Sequence, residues 1–344
     1  MKEKAGLYYH IPFCKSKCPY CDFYSKKYNC LEAEEYIKTI ITESEKYGGV
    51  FDTVYFGGGT PSIIEPELIG AVIASAKKHF EIDPESEITI ECNPSKNLTE
   101  AFKLYKKYGI NRVSIGMQSA VDGERFALGR SAGRVQVEAA INAAKNAGIE
   151  NISLDIMLGT PKQTLESLDQ TLDFINKMQV KHISAYMLKI EEGTKFYDLK
   201  DRLALPDDDL TAQMYLKTVA ALSSMGIKQY EISNFAVPGY ESRHNTKYWR
   251  LVPYLGIGAT AHSFWGGKRF YYDESLNLVQ DGDGGDRQEA IMLGLRLCEG
   301  IEKTLIKKPY KALVNAGFLV ETENRIALTP KGMLVSNTII NELT

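Results

Sequence analysis

Cys14-Lys15-Ser16-Lys17-Cys18-Pro19-Tyr20-Cys21 puts three thiols into eight positions. Spacings of four and three would line them along one helix face, but Pro19 bars its predecessor from α geometry, so the segment reads as a loop. Thiolates are soft ligands suited to iron-sulfur clusters. Three of them can hold three irons of a 4Fe-4S cubane and leave the fourth iron open to a second ligand. Zinc with His10 as fourth ligand is the alternative, although structural zinc usually draws Cys-x2-Cys arms from separated segments. Six cysteines in 344 residues do not make a disulfide framework, and crowded cysteines in a reducing compartment favour metal ligation. Cys30, Cys92 and Cys298 are scattered and read as small core residues.

Beyond this loop, apolar β-rich runs alternate with amphipathic stretches. Strands are expected over Leu7–Ile11, Thr53–Phe56, Glu87–Cys92, Arg112–Met117, Ile152–Leu158 and His182–Leu188. Helices are expected over Leu31–Tyr47, Glu67–Phe80, Glu138–Ala147 and Thr164–Lys177, with Gly109 and Gly148 as closing residues. Six βα units predict an α/β fold with a parallel sheet, and suit a partial, open (β/α)6 barrel because a closed one needs eight. A doubly wound sheet is the alternative. The expected organisation is a barrel over 1–226, an extension on the substrate side over 227–285 and a small winged-helix-like α+β domain over 286–344. From Asp286 to Thr344 there are eight Lys/Arg and seven Asp/Glu, so no basic stripe marks a nucleic-acid surface. The formal net charge of -3 implies no polyanionic partner. No run approaches the ~20 apolar residues of a membrane span, and the stretch from Met1 to Phe13 is too short for a signal core. A cytoplasmic protein without an integral membrane segment is expected.

The stretch Tyr8-Tyr9-His10-Ile11-Pro12-Phe13-Cys14 and the cysteines that follow resemble the start of the oxygen-independent coproporphyrinogen III oxidase-like family of the radical-SAM superfamily. The resemblance runs through almost the whole chain. It implies a radical-SAM barrel, a 4Fe-4S cluster on Cys14, Cys18 and Cys21, and S-adenosylmethionine at the open iron. Gly57-Gly58-Gly59-Thr60 matches the family's glycine-rich turn after the second strand, where bare backbone lets the cofactor's amino group approach. Tyr8, Glu91, Gln118, Arg130 and Asp155, with Gly58, Gly59 and Thr60, match positions that contact S-adenosylmethionine. Carboxylates suit its amino group, ribose and sulfonium, and Arg130 suits its carboxylate. One departure stands after Arg130, where the family often has a histidine two residues on and this chain has Ala132.

Two branches of the family separate at Phe23. The oxidase branch resembles Cys-x3-Cys-x2-Cys-x-Cys with a long extension ahead of the motif; here Phe23 takes the fourth position and thirteen residues precede Cys14. Both features point away from the oxidase branch; the heme-chaperone branch resembles this chain in Cys-x3-Cys-x2-Cys-x-Phe and in His244-Asn245-Thr246-Lys247-Tyr248-Trp249. The branch implies heme as bound cargo and recipient apo-hemoproteins as partners, with no catalytic residue assigned. The competing readings are oxidative decarboxylation of a porphyrinogen propionate and radical chemistry on another tetrapyrrole. Chemically, His244 can serve as an axial ligand of heme iron, with Asn245 holding its other nitrogen and Tyr248 and Trp249 against the porphyrin. A histidine hydrogen-bonded in an aromatic core is the other reading of the same residues. His10 is the second heme candidate, better placed to support the cluster ligands.

Overall fold

The computed structural model describes residues 4–94 and 98–344. Its centre is a sheet of parallel strands in consecutive order: β1 (Ala5–Ile11), β2 (Val50–Gly58), β3 (Glu81–Cys92), β4 (Arg112–Gln118), β5 (Asn151–Leu158) and β6 (His182–Met187). Consecutive order without a reversal is the order of a barrel and not of a doubly wound sheet. The sheet does not close. Beyond β6 come the antiparallel β7 (Lys228–Gln229) and β8 (Asn234–Ala236), with β8 next to β6. On the far side of β1 lies a seventh parallel strand, β9 (Tyr254–Ile257). The antiparallel β10 (His262–Trp265), β11 (Lys268–Tyr272) and β12 (Leu278–Asp283) continue that edge. Segment 227–285 is therefore woven into both edges of the barrel sheet.

Alternation along the strands sorts the residues into two layers. Leu7, Tyr9, Ile11, Val54, Phe56, Ile88, Ile90, Val113, Ile115, Leu154 and Ile183 point outward and are buried against the surrounding helices. The other set is polar and lines the concave side. Cross-strand register places Tyr8 beside Tyr55, Tyr55 beside Thr89 and Thr89 beside Arg112. One step further along the strands, Glu91 stands beside Ser114, and Gly116 beside Asp155. The sheet thus carries an apolar core outside and a polar trough inside, and the open ends of the strands deliver that trough to the loops.

Helices Cys30–Ser44, Pro66–His79, Leu98–Tyr108, Arg134–Asn146 and Leu165–Met178 connect the strands. The first is capped by Asn29, whose side chain accepts the Glu32 N–H, and the last by Thr164, which accepts the Ser167 N–H. The C-terminal part has the order helix, strand, helix, two strands and helices, with Ile301–Glu302, Arg325–Leu328 and Leu319–Glu321 forming a separate three-stranded antiparallel sheet. Among the described residues no helix is long and apolar enough to cross a membrane.

Candidate functional site

The cysteine loop is pinched off by backbone hydrogen bonds. Lys26 N–H donates to Pro12 O at 2.6 Å and Tyr28 N–H to Cys14 O at 2.9 Å, so the chain leaves β1, makes the loop and returns beside it. Inside it, Cys21 N–H donates to Cys18 O at 3.2 Å. All three thiols line one cavity of about 430 Å³ at the C-terminal ends of the strands. Burial, and then the neighbouring Cys18 and Cys14, push the Cys21 thiol up. Among the described residues no three His, Cys, Asp or Glu side chains converge on one point for a single ion. Three thiols facing a shared cavity fit a cubane, in which each thiolate takes its own iron, and soft donors suit it.

The same cavity is lined by Gly58, Gly59, Thr60, Glu91, Gln118, Arg130 and Asp155, residues separated by up to about a hundred positions in sequence. Glu91 accepts the Tyr55 O–H at 2.9 Å on Oε1 and the Gly58 N–H at 3.2 Å on Oε2. Burial first, and the charge of Asp155 second, raise its carboxyl to about 7. Asp155 accepts the Ser114 O–H at 2.8 Å, and burial pushes its carboxyl up as well. Such a site favours a cationic guest, which would hold both carboxylates ionised. Gly58 has φ +109, and a Cβ there would lie 2.6 Å from the His10 ring; one on Gly59 would meet Phe13 O at 2.8 Å. Gln118 is held at φ 69, an uncommon conformation for a side-chain-bearing residue at the end of a strand.

Arg130 reaches the cavity through a close approach: Gly129, at φ +73, leaves 2.6 Å between the position of a Cβ and Pro19 Cδ. Upstream, the buried Arg125 donates to the carbonyls of Ala132, Met117 and Ser119, which clamps the loop that carries Arg130. Arg130 itself donates to Asn93 Oδ1 at 2.6 Å and to the Tyr20 hydroxyl at 2.7 Å, while its buried Nε has no partner. Arg130 lines the cavity, and a guanidinium there suits a carboxylate guest. Asn93, Tyr20, Ser114 and Tyr186 also line the cavity, and sequence reasoning missed them. Asn93 stands two residues after Glu91 in Glu91-Cys92-Asn93-Pro94, so a period-two reading of β3 onward from Glu91 would have found it.

Other expected residues lie elsewhere. Tyr8 does not line the cavity; it lies beneath it, stacked on Tyr55 at 6.1 Å, with its hydroxyl 3.2 Å from His10 Nδ1. His10 is buried, with Nε2 3.4 Å from Tyr24 O, and burial drops its pKa to about 4. The hexapeptide forms a short helix, Arg243–Trp249, capped by Ser242. It plugs the opposite, N-terminal end of the barrel. His244 is 1% exposed, and both ring nitrogens are engaged, Nδ1 with Thr53 Oγ1 and Nε2 with the Tyr248 hydroxyl, each at 2.8 Å. Its N–H donates to Glu87 Oε1 at 3.1 Å, and Lys247 pairs with Asp52 at 2.7 Å. Burial, Lys247 and Arg112 hold the imidazole neutral, with a pKa lowered to about 3. In this arrangement His244 has no free nitrogen for iron and Asn245 does not hold its ring. Tyr248 packs edge-on to Tyr254 at 4.5 Å, and Trp249 lies under Arg296 at 5.4 Å. None of the four lines the cavity.

The sequence model of the radical SAM superfamily matches residues 8–175. The heme chaperone HemW of Bacillus subtilis is 32% identical over 97% of this chain and 97% of its own length. The chain belongs to the HemW family of radical-SAM proteins. HemW of Escherichia coli is 30% identical over 97% of each chain, and the mouse mitochondrial radical S-adenosyl methionine domain-containing protein 1 is 34% identical over 83% of this chain and 64% of its own. Among solved structures, the coproporphyrinogen III oxidase HemN of Escherichia coli superposes with a TM-score of 0.82 over 99% of this chain and 90% of its own, at 19% identity. That likeness shows a shared fold.

Proposed function

We propose that this chain is a heme chaperone: it holds a 4Fe-4S cluster on Cys14, Cys18 and Cys21, binds S-adenosylmethionine beside it, and carries heme to recipient apo-hemoproteins. The observation that carries the reading is the near full-length kinship with HemW proteins, and the cavity supports it residue by residue. Glu91 and Asp155 suit the cofactor's amino group and sulfonium, Arg130 suits its carboxylate, and the Gly58–Thr60 backbone lets it come close. When bound, the cluster supplies an open iron and one-electron chemistry. Two rim residues offer a flat-sided cargo a contact face: Phe23 is 63% exposed and Tyr186 43%. The helix Arg243–Trp249 serves as the barrel's floor and shapes what stands above it.

Product analysis tests this. The anaerobically reconstituted chain is titrated with heme, then reduced and incubated with S-adenosylmethionine and coproporphyrinogen III. Saturable heme binding without release of carbon dioxide is expected, and sustained decarboxylation with no heme binding would overturn the proposal in favour of an oxidase.

A further inference from the structure

We infer that Thr60 donates a hydrogen bond to the Cys14 thiolate, that Asn93 fixes its direction, and that this contact sets the reduction potential of the cluster. The inference rests on the cluster reading above, and its argument is one of hydrogen-bond polarity. Arg130 can only donate, so the Asn93 atom facing its Nη1 at 2.6 Å is the carbonyl Oδ1. The amide of Asn93 is then oriented, and Nδ2 donates to Thr60 Oγ1 at 2.8 Å. With an incoming donor on its oxygen, Thr60 turns its own proton to its remaining neighbour, Cys14 Sγ, at 3.5 Å. Backbone geometry holds the pair together: Gly59 N–H donates to Ile11 O at 2.9 Å and Thr60 N–H to Phe13 O at 2.8 Å, which sets Thr60 beside Cys14. Thr60 is buried, so water does not replace the contact cheaply.

A hydrogen bond to a ligating sulfur withdraws charge from it and stabilises the reduced cluster, raising the potential. The same relay starts at Arg130, which lines the cavity. Occupancy of the cavity and the electronics of Cys14 are thereby linked through three side chains. Thr60 and Asn93 are positioning residues in this scheme.

The test is an EPR-monitored potentiometric titration of the anaerobically reconstituted full chain, with iron and sulfide content measured on each sample. Thr60→Val, which removes only the hydroxyl, is expected to lower the midpoint potential, and Thr60→Ser to keep it near wild type. Asn93→Ala should lower it too, and should add little in a Thr60→Val background. Should Thr60→Val fail to load, Asn93→Ala and Thr60→Ser carry the comparison. A loaded Thr60→Val or Asn93→Ala chain at the wild-type potential would overturn this inference alone. A wild-type chain that takes up no iron and sulfide would overturn the cluster reading and the inference with it.

Discussion

At the residue scale, the three thiols and Glu91 carry the sharpest expectations. Replacing Cys14, Cys18 or Cys21 by Ala should each remove most of the bound iron and sulfide, whereas Cys30→Ala, Cys92→Ala and Cys298→Ala should not. Cys30 is exposed on a helix beside Glu34, and Cys92 is buried on the outer face of β3. Chemical iron and sulfide analysis decides it, and a fully loaded Cys18→Ala chain would sink the assignment. Glu91 predicts a pH dependence. Its carboxyl rises from 4.5 to about 7 on folding, so the folded chain holds the extra proton and stability falls as pH climbs through that window. That rise corresponds to a cost of up to about 3 kcal/mol above pH 7. Glu91→Gln keeps a hydrogen bond to Gly58 through its carbonyl and to Tyr55 through its amide. In urea unfolding without S-adenosylmethionine, it should stabilise the chain at pH 8 and leave it nearly unchanged at pH 4.5. Equal effects at both pH values would contradict the assigned titration. Gly58→Ala should also be costly, by about 2–4 kcal/mol, since it meets both a positive φ and the His10 ring.

The helix Arg243–Trp249 is the element whose role depends most on structure. His244→Ala would leave the Thr53 and Tyr248 hydroxyls without their partner in a sealed space, at a cost of roughly 2–4 kcal/mol. The expected result is a lower unfolding midpoint with the Soret band of bound heme unmoved. A shifted Soret band in a folded, cluster-loaded His244→Ala chain would instead assign the ring to iron. This element also marks the limit of what was legible in the sequence. The six parallel strands could be read because each carries a full period-two pattern over a buried outer face. Helix Arg243–Trp249 has no such pattern: its inward side chains, His244, Lys247 and Tyr248, are spaced like a helix face but are polar, and they bury through hydrogen bonds. The cysteine loop was legible from local chemistry and the glycine turn from the family resemblance. Asn93, Tyr20 and the clamp by Arg125 were not, because their partners lie 33 to 110 residues away or on the backbone.

Across the whole molecule, the trough is a joint product of distant segments. Segment 227–285 supplies β9 beside β1, β8 beside β6 and the floor helix, so a chain truncated after residue 226 should fail to give a cooperative unfolding transition by circular dichroism. A cooperative, soluble 1–226 fragment would show that the floor and edge strands are dispensable. Polar interior, cysteine rim and exposed aromatic lip are the features on which the proposed chaperone rests, and the proposal that it delivers heme is tested most directly by transfer kinetics. The heme-loaded, cluster-containing chain is mixed with an apo b-type cytochrome, and formation of the holo-cytochrome is followed in the Soret region. Delivery by direct contact predicts a rate that rises with recipient concentration and exceeds the rate of heme loss to a non-protein trap. A rate equal to simple dissociation at every recipient concentration would contradict the account.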